Sequence, residues 1–381
     1  MKDWKKIETD LIQLRQELHR FPELSGHEFE TAQRIAAFAE KYSPGKVLRD
    51  LGGTGLAVIF ESHVPGPVVL IRCDMDALPI QEENLFEYQS TRRLVSHKCG
   101  HDGHMAIVAG LIPALAETKI KKGKVVLLFQ PAEETGEGAF RVISDTRFAS
   151  VIPDYVFALH NLPGFPLHDI VVKDNEFASA SQGLIVRLKG KSSHAAEPEK
   201  GVTPTLAVTE LIHELLAIPH QPFLRDFSLV TIVHTRIGER AFGTTPGNAE
   251  VMATIRSYNN RDMRSMTNYA EKLASKIAAK HQLKHEIEWV EKFPATKNYK
   301  SCVRLIRQCA GELQLHLHEI EHPFRWSEDF GHFTQNFRGA LFGVGAGQAH
   351  PQLHHPDYDF PDEIIITGTR MFYSLIQKLT A

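Results

Sequence analysis

Apolar and polar positions along this chain change period several times. Trp4, Ile7, Leu11, Leu14 and Leu18 recur at helical spacing, which predicts an amphipathic helix over residues 3–20. Short apolar runs rich in β-branched residues follow at 55–60, 67–72, 124–129, 155–159 and 340–344. They are continuous rather than alternating, as in strands covered on both faces, and helical stretches such as 105–117 lie between them. Strands alternating with helices predict an α/β domain on a mostly parallel sheet.

Residues 179–294 break that rhythm. Strands are predicted at 183–189, 227–237, 249–258 and 285–292, with helices at 203–218 and 262–281. The order β-α-β-β-α-β is that of a ferredoxin-like unit. The expectation is an α+β domain over 179–294 inserted into a larger domain made of 1–178 and 295–381, which resumes near Tyr299 and closes on a helix over 361–379. A chain of 381 residues exceeds the size at which one hydrophobic core keeps growing, which agrees with two domains.

Charge then narrows the partners. The 43 basic and 46 acidic residues are intermixed and leave a net charge of -3, so neither nucleic acid nor a membrane surface is expected and small-molecule chemistry is. The first twenty residues carry a charge every few positions, which argues against a signal peptide or anchor. Cys73, Cys99, Cys302 and Cys309 are too sparse for a disulfide framework. A cytoplasmic setting is expected, in which a thiol is free to bind metal.

Polar clusters sit where the apolar strands end. The run 67–72 leads into Cys73-Asp74-Met75-Asp76, 124–129 into Gln130-Pro131-Ala132-Glu133-Glu134, and 155–159 into His160. Ligands of open parallel sheets bind outside the carboxyl ends of the strands, so these clusters should converge. The site would hold Cys99, His101, Glu134 and His160, with Asp74 and Asp76 nearby, and Leu353-His354-His355-Pro356 offers a further imidazole. Thiolate, imidazole and carboxylate together suit a borderline divalent ion such as zinc, and so many donors suggest two ions. In Cys99-Gly100-His101-Asp102-Gly103-His104 the glycines permit the tight turn of a helix entry.

Each residue also has an ordinary explanation. A single histidine among 21 is more often a surface or core residue than a ligand. Adjacent Glu133 and Glu134 suit a solvated helix start. Cys73, Cys302 and Cys309 read as small buried hydrophobes. The joint occurrence at several strand ends favours a site, because the ordinary explanations would have to hold independently at each.

These residues resemble the amidohydrolase branch of the aminoacylase and carboxypeptidase-like dinuclear metallopeptidases, the branch of hippurate hydrolases and N-acetyl-diaminopimelate and indole-3-acetyl-amino-acid hydrolases. The resemblance rests on Arg72 through Pro79 (RCDMDALP), His97 through His104 (HKCGHDGH), Phe129 through Glu134 (FQPAEE), Ser327 through Phe330 (SEDF) and Leu353-His354, which span nearly the whole chain. It implies two divalent ions held by Cys99, His101, Glu134, His160 and His354, with Cys99 bridging them. It implies Asp76 as the acid that supports a ligand, Glu133 as the catalytic base, and 179–294 as a lid through which a homodimer forms. His194, in Gly190 through Ala196, would then reach across the dimer to the substrate carbonyl.

In this reading the ions lower the pKa of water and polarise the amide oxygen, while Glu133 carries a proton from water to the leaving nitrogen. His194 would stabilise the developing oxyanion. Arg256 could pair with a substrate carboxylate. The sequence departs from the branch at Gly243, where asparagine is usual, and Asn248 is the residue that could compensate. Cys99 favours zinc, though manganese, cobalt and nickel use similar sites. An N-acyl amino acid is the expected substrate. The alternatives are a dipeptidase or carboxypeptidase-type relative and a catalytically silent metal-binding scaffold.

Overall fold

The computed structural model describes residues 4–381. The chain divides into two compact units. The first comprises Met1–Phe177, described from residue 4, with Thr296–His322 and Asp329–Ala381. The second comprises Ala178–Ala295 and Pro323–Glu328.

The first unit is built on an eight-stranded sheet in the order Lys46–Leu51, Gly55–Glu61, Lys124–Gln130, Val68–Asp74, Tyr155–Leu162, Arg338–Gly345, Ile170–Val172, Leu317–Glu319. Lys124–Gln130, Val68–Asp74, Tyr155–Leu162 and Arg338–Gly345 are parallel to one another, and antiparallel pairs flank them. The mostly parallel sheet read from the sequence is thus present. These central strands are buried almost from end to end, which is why their residues show no alternation. The two outermost strands on one side, Ile170–Val172 and Leu317–Glu319, have three residues each, too few to carry a period.

Helix Lys5–Arg20 buries Leu11, Leu14 and Leu18, and also Arg15 and His19, which charge partners hold inside. The stretch 105–117 differs from the single helix expected. It is His101–Ala109 followed by Leu111–Glu117. Pro113 has no N–H to give to the carbonyl four residues earlier, so one continuous ladder cannot form there. The last helix is Ile364–Thr380.

The second unit carries a four-stranded antiparallel sheet in the order Lys284–Phe293, Ala180–Lys189, Asn248–Ser257, Ser228–Ile237, with helices Thr205–Ala217 and Asn260–Lys280. This is the ferredoxin-like arrangement, and it has a core of its own that includes Leu184, Val186, Leu211, Val251, Ile255 and Met266. The Asn259 side chain accepts the Asp262 N–H and caps the longer helix. Pro323–Glu328 joins this unit because the Ser179 N–H donates to the carbonyls of Phe324 and Trp326, and Arg256 donates to Arg325 O and Ser327 Oγ. Among the described residues no helix is long and apolar enough to cross a membrane.

Candidate metal centre

The carboxyl ends of the parallel strands bring the polar clusters of the first unit together. Val68–Asp74 delivers Asp74 and, two residues on, Asp76, while Lys124–Gln130 leads into the turn that carries Glu133 and Glu134. His160 differs from expectation in one respect. Its strand runs on to Leu162 and pairs His160 with Gly343, so the ladder itself fixes this imidazole.

Gly100 makes the turn between Cys99 and His101. It lies at φ 93°, and a Cβ there would stand 2.6 Å from Asn161 Oδ1 and 2.9 Å from Tyr358 Oη. Only glycine fits both constraints. His101 opens its helix and its Nδ1–H donates to the Asp76 carbonyl at 2.8 Å, which directs Nε2 the other way. Cys99 Sγ lies 3.5 Å from His160 Nε2.

Two triads share the thiol. Ligand atoms of Cys99, His101 and His160 lie within 4.8 Å of one another, and so do those of Cys99, Glu134 and His354. A third group, His101, Glu133 and Glu134, ties Glu133 to the same place. His101 Nε2 and Glu134 Oε1 are buried with no hydrogen-bond partner among the described residues. Burial pushes the Cys99 thiol well above its ordinary value, with the Glu134 and Glu133 carboxylates adding to the effect. It holds His160 well below the usual imidazole range. A buried thiol, the His160 imidazole held neutral, the unpartnered His101 Nε2 and an orphaned Glu134 carboxylate oxygen are a donor set that a divalent cation would satisfy.

Asp76 ties the centre together. Its carboxylate accepts the N–H groups of Glu133 at 3.1 Å and Glu134 at 2.9 Å, and the Ser25 hydroxyl at 2.6 Å. The turn is strained, since Ala132 lies at φ 52°. The Ala132 N–H is held by Glu28 Oε1 at 2.8 Å.

Two further residues enter the site that sequence reasoning quoted only inside motifs. Asp329 gives its N–H to Glu133 Oε1, and its carboxylate accepts from Arg72 at 2.6 Å, Gln130 Nε2 at 2.8 Å and the Ala139 N–H at 2.8 Å. Arg72 also donates to Asp74 at 2.7 Å and is fully buried. The signal was a basic residue inside an otherwise apolar strand. His104 has both ring nitrogens engaged, by Asp74 at 2.7 Å and Asn161 at 2.6 Å, so it braces the frame and has no nitrogen left for a ligand.

His194, Arg256 and Asn248 belong to the second unit. His194 is exposed, and its Nδ1 accepts the Ala196 N–H at 3.0 Å. Arg256 is half-buried and donates to Ser327 Oγ at 3.0 Å. Asn248 is exposed and lines an open groove of about 660 Å³ with Ser192, Thr244 and Thr245. Asn248 and Arg256 stand eight residues apart on one strand, about 26 Å at roughly 3.3 Å per residue. Within one chain, a small molecule held by Arg256 is out of reach of Asn248.

A family model described as peptidase family M20/M25/M40 matches residues 70–378. An N-acetyl-L-cysteine deacetylase of Bacillus subtilis is 30% identical over 375 residues, covering 98% of this chain and 89% of its own. An N-acetylcysteine deacetylase of the same organism is 28% identical over 374 residues and 97% of each chain. The crystal structure of the Bacillus subtilis YXEP protein, described as a dinuclear metal binding peptidase, is similar with a TM-score of 0.83 and 26% identity over 99% of each chain.

Proposed function

We infer the reaction from one premise: this chain belongs to peptidase family M20/M25/M40. It is a metal-dependent amidohydrolase. We propose that it cleaves the amide bond of N-acyl amino acids, with the first unit as catalytic domain and 179–294 as its lid. Cys99, His101, Glu134, His160 and His354 are the residues that would hold two divalent ions. The observation that carries this reading is the pair of triads meeting at one buried thiol, with Glu133 beside them.

When bound, the ions supply an acidified water and polarise the substrate carbonyl. Glu133 is the general base. Its Oε1 is held by the Asp329 N–H, and its Oε2 lies 4.0 Å from His101 Nε2; the carboxylate takes a proton and returns it to the leaving nitrogen. Asp76 keeps Glu133 and Glu134 on one turn while the Asp76 carbonyl fixes the His101 ring. Neighbouring carboxylates thus take different tasks from different surroundings.

Arg256 binds the substrate carboxylate in this reading, and His194 steadies the oxyanion from a partner copy. Asn248 would serve recognition only across a dimer. The lid forms the homodimer: its edge strand Ser228–Ile237 exposes Leu229 and Val233, and Phe242 is fully exposed beyond it. Zinc is the ion expected from the thiol, with manganese, cobalt or nickel as substitutes.

The test is release of free amine from N-acetyl, N-benzoyl and N-indolylacetyl amino acids, with dipeptides alongside, after chelation and separate reloading with zinc or manganese. Metal-dependent hydrolysis of one acyl class is expected. Hydrolysis confined to dipeptides would overturn the substrate assignment.

A further inference from the structure

We propose that Lys98 is a positioning residue that sets His354, and with it the half of the centre formed by Cys99, Glu134 and His354. The proposal rests on the ligand assignment above and goes beyond it, to what holds one ligand in place.

His354 is unlike the other members of the two triads. Its side chain is 52% exposed, it lies in neither helix nor strand, and its backbone sits at φ 66°. His160 is fixed by a sheet ladder and His101 by its helix and the Asp76 carbonyl. The loop that carries His354 needs some other anchor, because a left-handed non-glycine residue persists only where its surroundings over-determine it.

Lys98 supplies that anchor from both its ends. Its carbonyl accepts the His354 N–H at 2.7 Å. Its side chain is fully buried, and Nζ donates to Glu82 Oε1 at 2.6 Å, Asn84 Oδ1 at 2.7 Å and the Tyr358 carbonyl at 2.7 Å. One residue therefore fastens the loop at His354 and again at Tyr358, and it directly precedes Cys99. Asn84 adds a bond from Nδ2 to the Asp357 carbonyl at 2.9 Å. The ammonium satisfies all three of its donors, so its burial is balanced.

Loss of the side chain would strand the Tyr358 carbonyl and the Asn84 amide oxygen. Glu82 would keep His19 at 2.8 Å. The damage should fall on the loop, and hence on one triad. Lys98→Met keeps the length and apolar bulk while removing the three bonds.

The experiment strips the full chain of metal and titrates Zn²⁺ back in competition with a chromophoric chelator. Wild type, His354→Ala and Lys98→Met are compared, bound zinc is counted per chain, and circular dichroism is recorded on the metal-free proteins. Wild type should bind two ions and His354→Ala one. Lys98→Met should bind the first as wild type does and the second about 10–100-fold more weakly, the range for loss of a group that orients a ligand. Wild-type affinity for both ions in Lys98→Met, with one ion lost in His354→Ala, overturns the role of Lys98. Two tight ions in His354→Ala, or fewer than two in wild type, overturns the ligand assignment instead. Should Lys98→Met fail to fold, Asn84→Ala carries the test. It removes one Nζ acceptor and the bond to Asp357, the same selective weakening is expected, and wild-type affinity there overturns the proposal.

Discussion

Glu133 Oε1 accepts the backbone N–H of Asp329 across 3.2 Å. The Asp329 carboxylate oxygen Oδ2 in turn faces two donors, Gln130 Nε2 and the Ala139 N–H. Asp329→Asn would aim an amide N–H₂ at those donors or turn its oxygen away from Arg72, so Asp329 must shift and its N–H with it. A displacement near 1 Å in such a contact lowers turnover about 10²-fold. Steady-state kinetics at matched metal content should show that loss in kcat with KM little changed. An unaltered kcat would remove Asp329 from the account.

Gly100→Ala should destabilise the fold and loosen the centre. The left-handed backbone and the contact with Asn161 each cost about 1–3 kcal/mol, and both act on the turn that joins Cys99 to His101. The denaturant midpoint of the metal-free protein should fall with unchanged slope. A midpoint equal to wild type would mean that the turn relaxes freely.

The pH dependence of stability should carry the mark of His19. Burial works against its charge, but hydrogen bonds to Asp102 and Glu82, both at 2.8 Å, outweigh it and raise its pKa from 6.5 to about 9. Burial likewise opposes ionisation of Glu82, yet His19 and Lys98 hold it down to about 2. A raised histidine contributes stability that is complete below its unfolded value near 6.5 and lost as pH climbs through about 9. A shift of this size is worth about 3 kcal/mol. The difference in unfolding free energy between wild type and His19→Gln should therefore be largest near pH 6 and shrink by about that amount near pH 10. A difference that stays constant over that range would show that His19 is neutral when folded.

Much of this architecture can be read from side-chain identity. The central strands are legible because burial on both faces makes them continuous apolar runs, and the polar residues at or just past their ends mark where Asp74, Glu133 and His160 meet. The β-α-β-β-α-β order of the second unit is legible because its strands and helices are long enough to show a period. What escapes is of two kinds. Strands of three residues have no period, and the division at Gly110 depends on a proline three residues later. Contacts made by main-chain groups leave no trace in composition: the Asp329 N–H on Glu133 links positions 196 apart, and the Lys98 carbonyl on His354 uses an atom that every residue has. Buried Arg72 and Lys98 are partial exceptions, since a basic residue among apolar or metal-binding neighbours asks for a partner.

The most direct measurement is the turnover and metal content of Glu133→Gln, assayed on whichever amide of the panel above the wild type hydrolyses. Glutamine keeps an oxygen for the Asp329 N–H and removes the proton acceptor. The variant should bind two ions per chain as wild type does, while kcat falls about 10²–10⁴-fold, the range expected for loss of a general base. Full turnover with both ions bound would contradict the role of Glu133 and, with it, the mechanism.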